Sequence, residues 1–177
     1  MLYDEFRKLF VRFNKRHYGM RPMIEQVHKR NLLNNPLVGV EVGVAVGLNA
    51  FSILSHLNIG KLFLVDSYRQ CPGNMFFAVK RLRPFVDTTV FYNMDSLDAV
   101  KLVVDGSLDF VYLDGSHEYG DVRDDIVAWY PKVKLGGVFG GHDFKTGRMG
   151  LCKAVYEFAF KEGLEVVGGG IDWWYKQ

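Results

Sequence analysis

The chain is short of several things that define whole protein classes. Only two of its 177 residues are cysteine, Cys71 and Cys152, too few for a disulfide framework. Reduced thiols and a cytoplasmic setting are therefore expected. No run of about 18 uninterrupted apolar residues exists, which argues against a membrane span. The opening stretch, MLYDEFRKLFVRF, carries charges from its fourth residue and lacks an apolar leader core, so no secretory signal is expected. Low-complexity stretches and internal repeats are missing, and an apolar share of 49% with a net charge of only +2 excludes wholesale disorder. The length suits one domain at roughly 100–200 residues each.

The small net charge hides an asymmetry. Residues 1–30 hold eight Lys/Arg against three Asp/Glu, and the remainder fourteen against seventeen. A basic head has two readings: a solvated helix face, or a surface for an anionic partner such as nucleic acid.

Leu2, Phe6, Leu9, Phe10 and Phe13 fall at helical spacing, predicting an amphipathic helix. A second helix is expected from Pro22, tolerated in a first turn, to about Leu33. Residues 1–35 thus read as a helical segment of the same domain, preceding a core at 36–177. From Leu37 short apolar runs alternate with helical stretches. Strands are predicted at 38–42, 61–65, 88–92, 109–113, 137–141, 164–167 and 172–176, with helices near 47–57, 73–82, 96–104, 119–130 and 149–162. Buried strands separated by helices indicate an α/β fold, a Rossmann-like doubly wound sheet of seven strands. Only residues 168–171 separate the last two strands, too few for a parallel crossover, so the last strand should run antiparallel.

Ligands of such sheets bind at the carboxyl ends of the strands. There the first five predicted strands deliver acids in order: Glu41, Asp66, Asp95, Asp114, and Asp143 with His142. One such acid is usually a cap; five in order point to a functional rim. The first turn, EVGVAVG at 41–47, places Gly43 and Gly47 where a sharp strand-to-helix turn needs them. It lacks the third glycine of the dinucleotide fingerprint, which speaks against a nicotinamide oxidoreductase. Glu41 beside it would repel a pyrophosphate and suit a cation. Asp66 lies 23 positions after Gly43, close to the spacing at which an acid accepts from ribose hydroxyls. The pattern calls for a nucleoside with a cationic centre and no phosphate.

S-adenosylmethionine fits that description, and the chain resembles the class I S-adenosylmethionine-dependent methyltransferases. The resemblance rests on residues 41–47, the 62–66 strand, Met94-Asp95-Ser96 and Gly136-Gly137. YLDGSHEY at 112–119 and GGVFGGHDF at 136–144 are similar to a small-molecule O-methyltransferase branch that includes sugar and macrolide-sugar enzymes. The resemblance implies that Gly43 and Gly47 line the methionine portion of the cofactor with Glu41 nearby. It implies that Asp66 holds the ribose and that Met94, Asp95 and Ser96 border the adenine. In metal-dependent members the acids at Asp114 and Asp143 bind a divalent cation such as Mg2+, and the histidine at His117 is the general base. His142 is a further candidate ligand, although imidazole suits softer metals better than Mg2+.

Blander readings stand beside these. Asp114 with Gly115 could be a strand-exit turn, and His117 a surface residue. Asp121, Asp124 and Asp125 read as solvated acids favouring a helix dipole. Trp173 and Trp174 should face opposite sides of the last strand, at least one in the core. The 68–83 segment either covers the site or packs into the core. A nucleic-acid methyltransferase is the alternative for the basic head, although the Asn/Asp-Pro-Pro-Tyr-like loop of amino-methylating enzymes is missing. An inactive cofactor-binding protein is another. With little chain outside the core, the acceptor should be small or bound in an open cleft, unless a second subunit supplies a wall. The basic head is expected to lie outside the acidic constellation.

Overall fold

The computed structural model describes residues 19–30 and 35–176. The predicted helix over Leu2 to Phe13 lies outside these residues, as does the predicted end of the second near Leu33. The described part of the second helix is α1, Pro22–Arg30. It precedes β1 (Leu37–Val42), α2 (Leu48–His56), β2 (Ile59–Val65), α3 (Gly73–Leu82) and β3 (Thr89–Tyr92). After these come α4 (Ser96–Ala99), β4 (Leu108–Leu113), α5 (Tyr119–Trp129), β5 (Val133–Gly141), α6 (Met149–Glu162), β6 (Glu165–Gly169) and β7 (Asp172–Lys176). The predicted helix near 96–104 is shorter than expected, because a 3-10 turn at Val100–Leu102 closes α4.

The seven strands form one sheet in the order β3-β2-β1-β4-β5-β7-β6. The first five pair in parallel. β7 inserts between β5 and β6, antiparallel to both. A two-residue turn, Gly170 and Ile171, allows only that direction.

Apolar side chains cover both faces of the sheet. One core packs Met23, Ile24 and Val27 of α1, Phe51 and Ile53 of α2 and Leu82 of α3 against Leu62, Phe110 and Trp174. The other packs Ala99, Val122, Ile126, Trp129 and Val155 against Val40, Val111, Phe139 and Trp173. Phe110, Val111, Tyr112 and Leu113 of β4 alternate between the two cores, the period-2 pattern of a strand with no solvent face. Trp173 and Trp174 divide the same way and are both buried.

The order reverses between β1 and β4, since β1 leads out through β2 to β3 and β4 leads the other way to β5. A crevice opens at such a switch point beyond the carboxyl ends of the strands.

Candidate active site

The loop after β1 is the hinge of the crevice. Gly43 has φ +88°, and a Cβ there would overlap the backbone carbonyl of Asp114. The close approach is locked by three backbone bonds: Gly43 N–H to Val65 O at 2.8 Å, Asp114 N–H to Val42 O at 2.7 Å and His142 N–H to Leu113 O at 2.9 Å. Gly47, at φ +75°, turns instead onto Ala78 of α3. Arg81 ties the loop from outside by donating to the Val46 carbonyl.

Among the described residues, three non-glycine residues adopt positive φ: Ala45 (47°), Tyr68 (52°) and Asp143 (59°). All three lie along the strand ends. Strained backbone persists where the surroundings over-determine it, and it concentrates at functional sites.

A cleft of about 950 Å³ occupies this edge, within the usual ~300–1,000 Å³ range of ligand sites. Its walls include Gly43, Ala45, Asp66, Met94, Asp95 and Ser96, with Asp114 and His117 at one end. Asp66 is held by two backbone donors, Ala45 N–H and Tyr68 N–H, each at 2.8 Å. Arg69 pairs with Asp95 at 2.6 Å across the opposite end. The start of the 68–83 segment therefore covers the site, through Tyr68, Arg69, Gln70, Cys71 and Asn74. Its later residues divide: Ala78 and Leu82 enter the core, whereas Phe76, Phe77 and Val79 are exposed.

Glu41, Gly47, His142 and Asp143 are not among the residues lining the cleft. Glu41 is buried under the loop, where Oε1 accepts from Asn49 Nδ2 at 3.0 Å and Oε2 has no partner. Burial pushes its carboxyl up to about 8, against the lowering effect of Asn49. A group raised in the fold contributes stability that is complete below its unfolded pKa and is lost as pH rises through the folded value. Wild-type protein is therefore expected to lose on the order of 5 kcal/mol between about pH 4.5 and pH 8 from this residue. Glu41→Gln should flatten that slope in chemical denaturation across pH, and an unchanged slope would remove Glu41 as its source.

Asp125 also departs from the solvated reading of the α5 acids. It lines the cleft, hydrogen-bonds Ser96, and is pushed up by burial to about 6. Ser96 Oγ in turn accepts from Trp129 Nε1 at 2.7 Å.

At the other end the acids and histidines gather. Asp114, His117 and Asp143 each offer an atom within 4.8 Å of the others. His117 Nε2 is 2.7 Å from Asp143 Oδ2. His142 Nδ1 lies 3.4 Å from Asp114 Oδ1 and 3.7 Å from Asp143 Oδ1, so His117 joins the tighter group and His142 flanks it. Burial opposes ionisation of Asp143, but Lys145 at 2.6 Å, with His142 and His117, holds its carboxyl below the ordinary value.

The basic head corrects one expectation. Arg21 does not lie outside the constellation: its Nη1 pairs with Asp114 Oδ2 at 2.7 Å and donates to Tyr112 Oη at 2.9 Å. Arg30 donates to the Gly137 carbonyl of β5 at 3.0 Å. Sequence reasoning missed Lys145, and it missed Arg21 as well. The only signal of Arg21 was its place directly before Pro22, and the partners lie more than 90 positions away.

The seven-stranded sheet with one antiparallel strand is the Rossmann-like fold of the class I methyltransferases. Residues 40–144 match the family model described as "Methyltransferase domain", and the chain belongs to that family. It is an S-adenosylmethionine-dependent methyltransferase. Solved structures of similar fold include the O-methyltransferase NovP (18% identity, 88% of this chain and 77% of that one, TM-score 0.65). CalS11, a TDP-rhamnose 3'-O-methyltransferase of calicheamicin biosynthesis, matches at 14% identity, 86% and 76% coverage and TM-score 0.65. The precorrin-6y C5,15-methyltransferase of Geobacter metallireducens matches at 17%, 86%, 84% and 0.63. No curated protein sequence matches significantly. No helix among the described residues is long and apolar enough to cross a membrane.

Proposed function

We propose that the protein methylates a hydroxyl of a small acceptor such as a sugar, with a divalent cation assisting. The carrying observation is the convergence of Asp114, His117 and Asp143 within 4.8 Å, with Asp114 and His117 lining the cleft. The rest of the cleft fits the cofactor. Asp66, fixed by two backbone donors, accepts from the ribose hydroxyls in this reading. Met94, Asp95 and Ser96 border the adenine, with Gly43 beside the methionine portion. Two neighbours of similar fold, the TDP-rhamnose 3'-O-methyltransferase CalS11 and the O-methyltransferase NovP, favour an oxygen acceptor.

Methyl transfer is an in-line displacement in which the acceptor oxygen forms a bond to the methyl carbon as the carbon–sulfur bond breaks. The protein must align the acceptor and take its proton. With Nε2–H donating to Asp143, His117 keeps Nδ1 as its proton acceptor, and Asp143 stabilises the imidazolium that results. Asp114 and Asp143, flanked by His142, form an oxygen-rich donor set suited to a hard divalent cation. Such an ion, when bound, lowers the pKa of a coordinated alcohol and orients it.

The test is calorimetric titration with S-adenosylhomocysteine, followed by methyl transfer to a panel of hydroxylated small molecules. Binding that is lost in Asp66→Ala and turnover of hydroxyl acceptors are expected. Failure to bind at high micromolar concentration would overturn the cofactor assignments. Transfer confined to RNA or DNA would replace the acceptor reading.

A further inference from the structure

Both carboxylates of the cluster already carry a cation belonging to the chain. Arg21 reaches Asp114 from the segment ahead of α1, and Lys145 reaches Asp143 from the loop after β5. The Arg21 anchorage is built in depth. Its guanidinium lies 5.6 Å from the Tyr112 ring centre and donates to the Tyr112 hydroxyl. Tyr112 donates to Asp172 Oδ1 at 2.9 Å, and Asp172 Oδ2 accepts from Met23 N–H at 3.1 Å, at the start of α1. Asp172 is fully buried. The buried acid thus fixes the first turn of α1 and, through Tyr112, the place of Arg21. Asp114 and Asp143 are mostly buried, whereas Arg21 and Lys145 keep a route to solvent, at 30% and 44% side-chain exposure.

We propose that Arg21 and Lys145 are resident counter-ions of the Asp114–Asp143 pair, and that a divalent cation enters only by displacing them. The inference rests on the cation reading given above and concerns what that reading leaves out. Two carboxylates in one partly buried group need positive charge nearby to remain ionised together. The two side chains supply it without a metal. A dication at the same oxygens would meet both the occupied lone pairs and the repulsion of two fixed charges. Ion occupancy and the Arg21–Asp114 pair are therefore mutually exclusive. Because Arg21 adjoins α1, ion entry is coupled to the chain segment that borders the site on that side.

Mn2+ titration of the full chain, followed by the free-ion electron paramagnetic resonance signal, tests this directly. Arg21→Gln and Lys145→Gln are each expected to bind Mn2+ at least tenfold tighter than wild type. Lys145 is the safer variant for folding because its side chain reaches solvent. Asp143→Asn should lose binding, showing that the signal reports this group. Equal or weaker binding in both Gln variants, with measurable wild-type binding, would overturn the competition and leave the cation reading standing. No binding in any variant at millimolar Mn2+ would overturn both.

Discussion

His117→Ala is expected to lower kcat by about 10²–10⁴-fold, the usual contribution of a positioned general base, with S-adenosylhomocysteine affinity unchanged. The expected separation follows from geometry. His117 stands at the end of the cleft beside Asp114 and Asp143, whereas Asp66 and the Met94-Asp95-Ser96 turn form its other walls. Removing the imidazole takes one 2.7 Å partner from Asp143 but leaves Lys145 at 2.6 Å, so the acid stays compensated and the fold should lose little. Single-turnover methyl transfer measured beside calorimetric binding separates the two quantities. Full turnover in the variant would remove His117 as the base. A parallel fall in cofactor affinity would instead make it a cofactor-positioning residue.

The largest structural effect is expected at Gly43. An alanine there must hold φ near +88°, and its Cβ would overlap the Asp114 carbonyl and the Gly115 nitrogen. Neither side can yield cheaply, because Gly43 N–H bonds Val65 O in β2 and Asp114 N–H bonds Val42 O in β1. Moving the loop would break the registration of three central strands. Gly43→Ala should cost about 3 kcal/mol or more, a fall in Tm of roughly 6–12 °C at this size, and abolish cofactor binding. Gly47→Ala is the matched control. Its φ is also positive, at +75°, but its Cβ would meet only Ala78 and Leu82 at 3.3–3.4 Å. About half the destabilisation is expected there. Equal losses at the two positions would show that backbone strain alone, and not the contact with Asp114, makes Gly43 necessary.

The strand and helix succession, the antiparallel final strand and the acids at successive strand ends were legible in local sequence. Turn glycines, alternating apolar blocks and a four-residue separation act over short distances, so a linear reading recovers them. That reading placed Asp66, Asp95, Asp114 and Asp143 on one edge, and the structure draws the last two, with His117, into one group. It did not separate the α5 acids, because only the fold shows that Asp125 turns toward Ser96 while Asp121 is exposed and Asp124 pairs with Arg123. Nor did it resolve the 68–83 segment, whose early residues line the cleft and whose apolar residues split between core and surface.

The basic head shows the boundary most clearly. Its charge excess is a property of composition and is visible at once. What Arg21 does depends on Tyr112, Asp114 and Asp172, which approach it only because β1, β4, β5 and β7 lie side by side and α1 packs across them. By itself the sequence determined a mostly parallel α/β core with acids at successive strand ends, because periodicity and turn chemistry are local forces. Only the tertiary structure decided that β7 lies between β5 and β6, that Glu41 is sealed beneath the loop, and that two of the chain's own cations occupy the carboxylates. Those outcomes depend on burial and on charges brought together from distant positions, and neither is encoded in the spacing of neighbours.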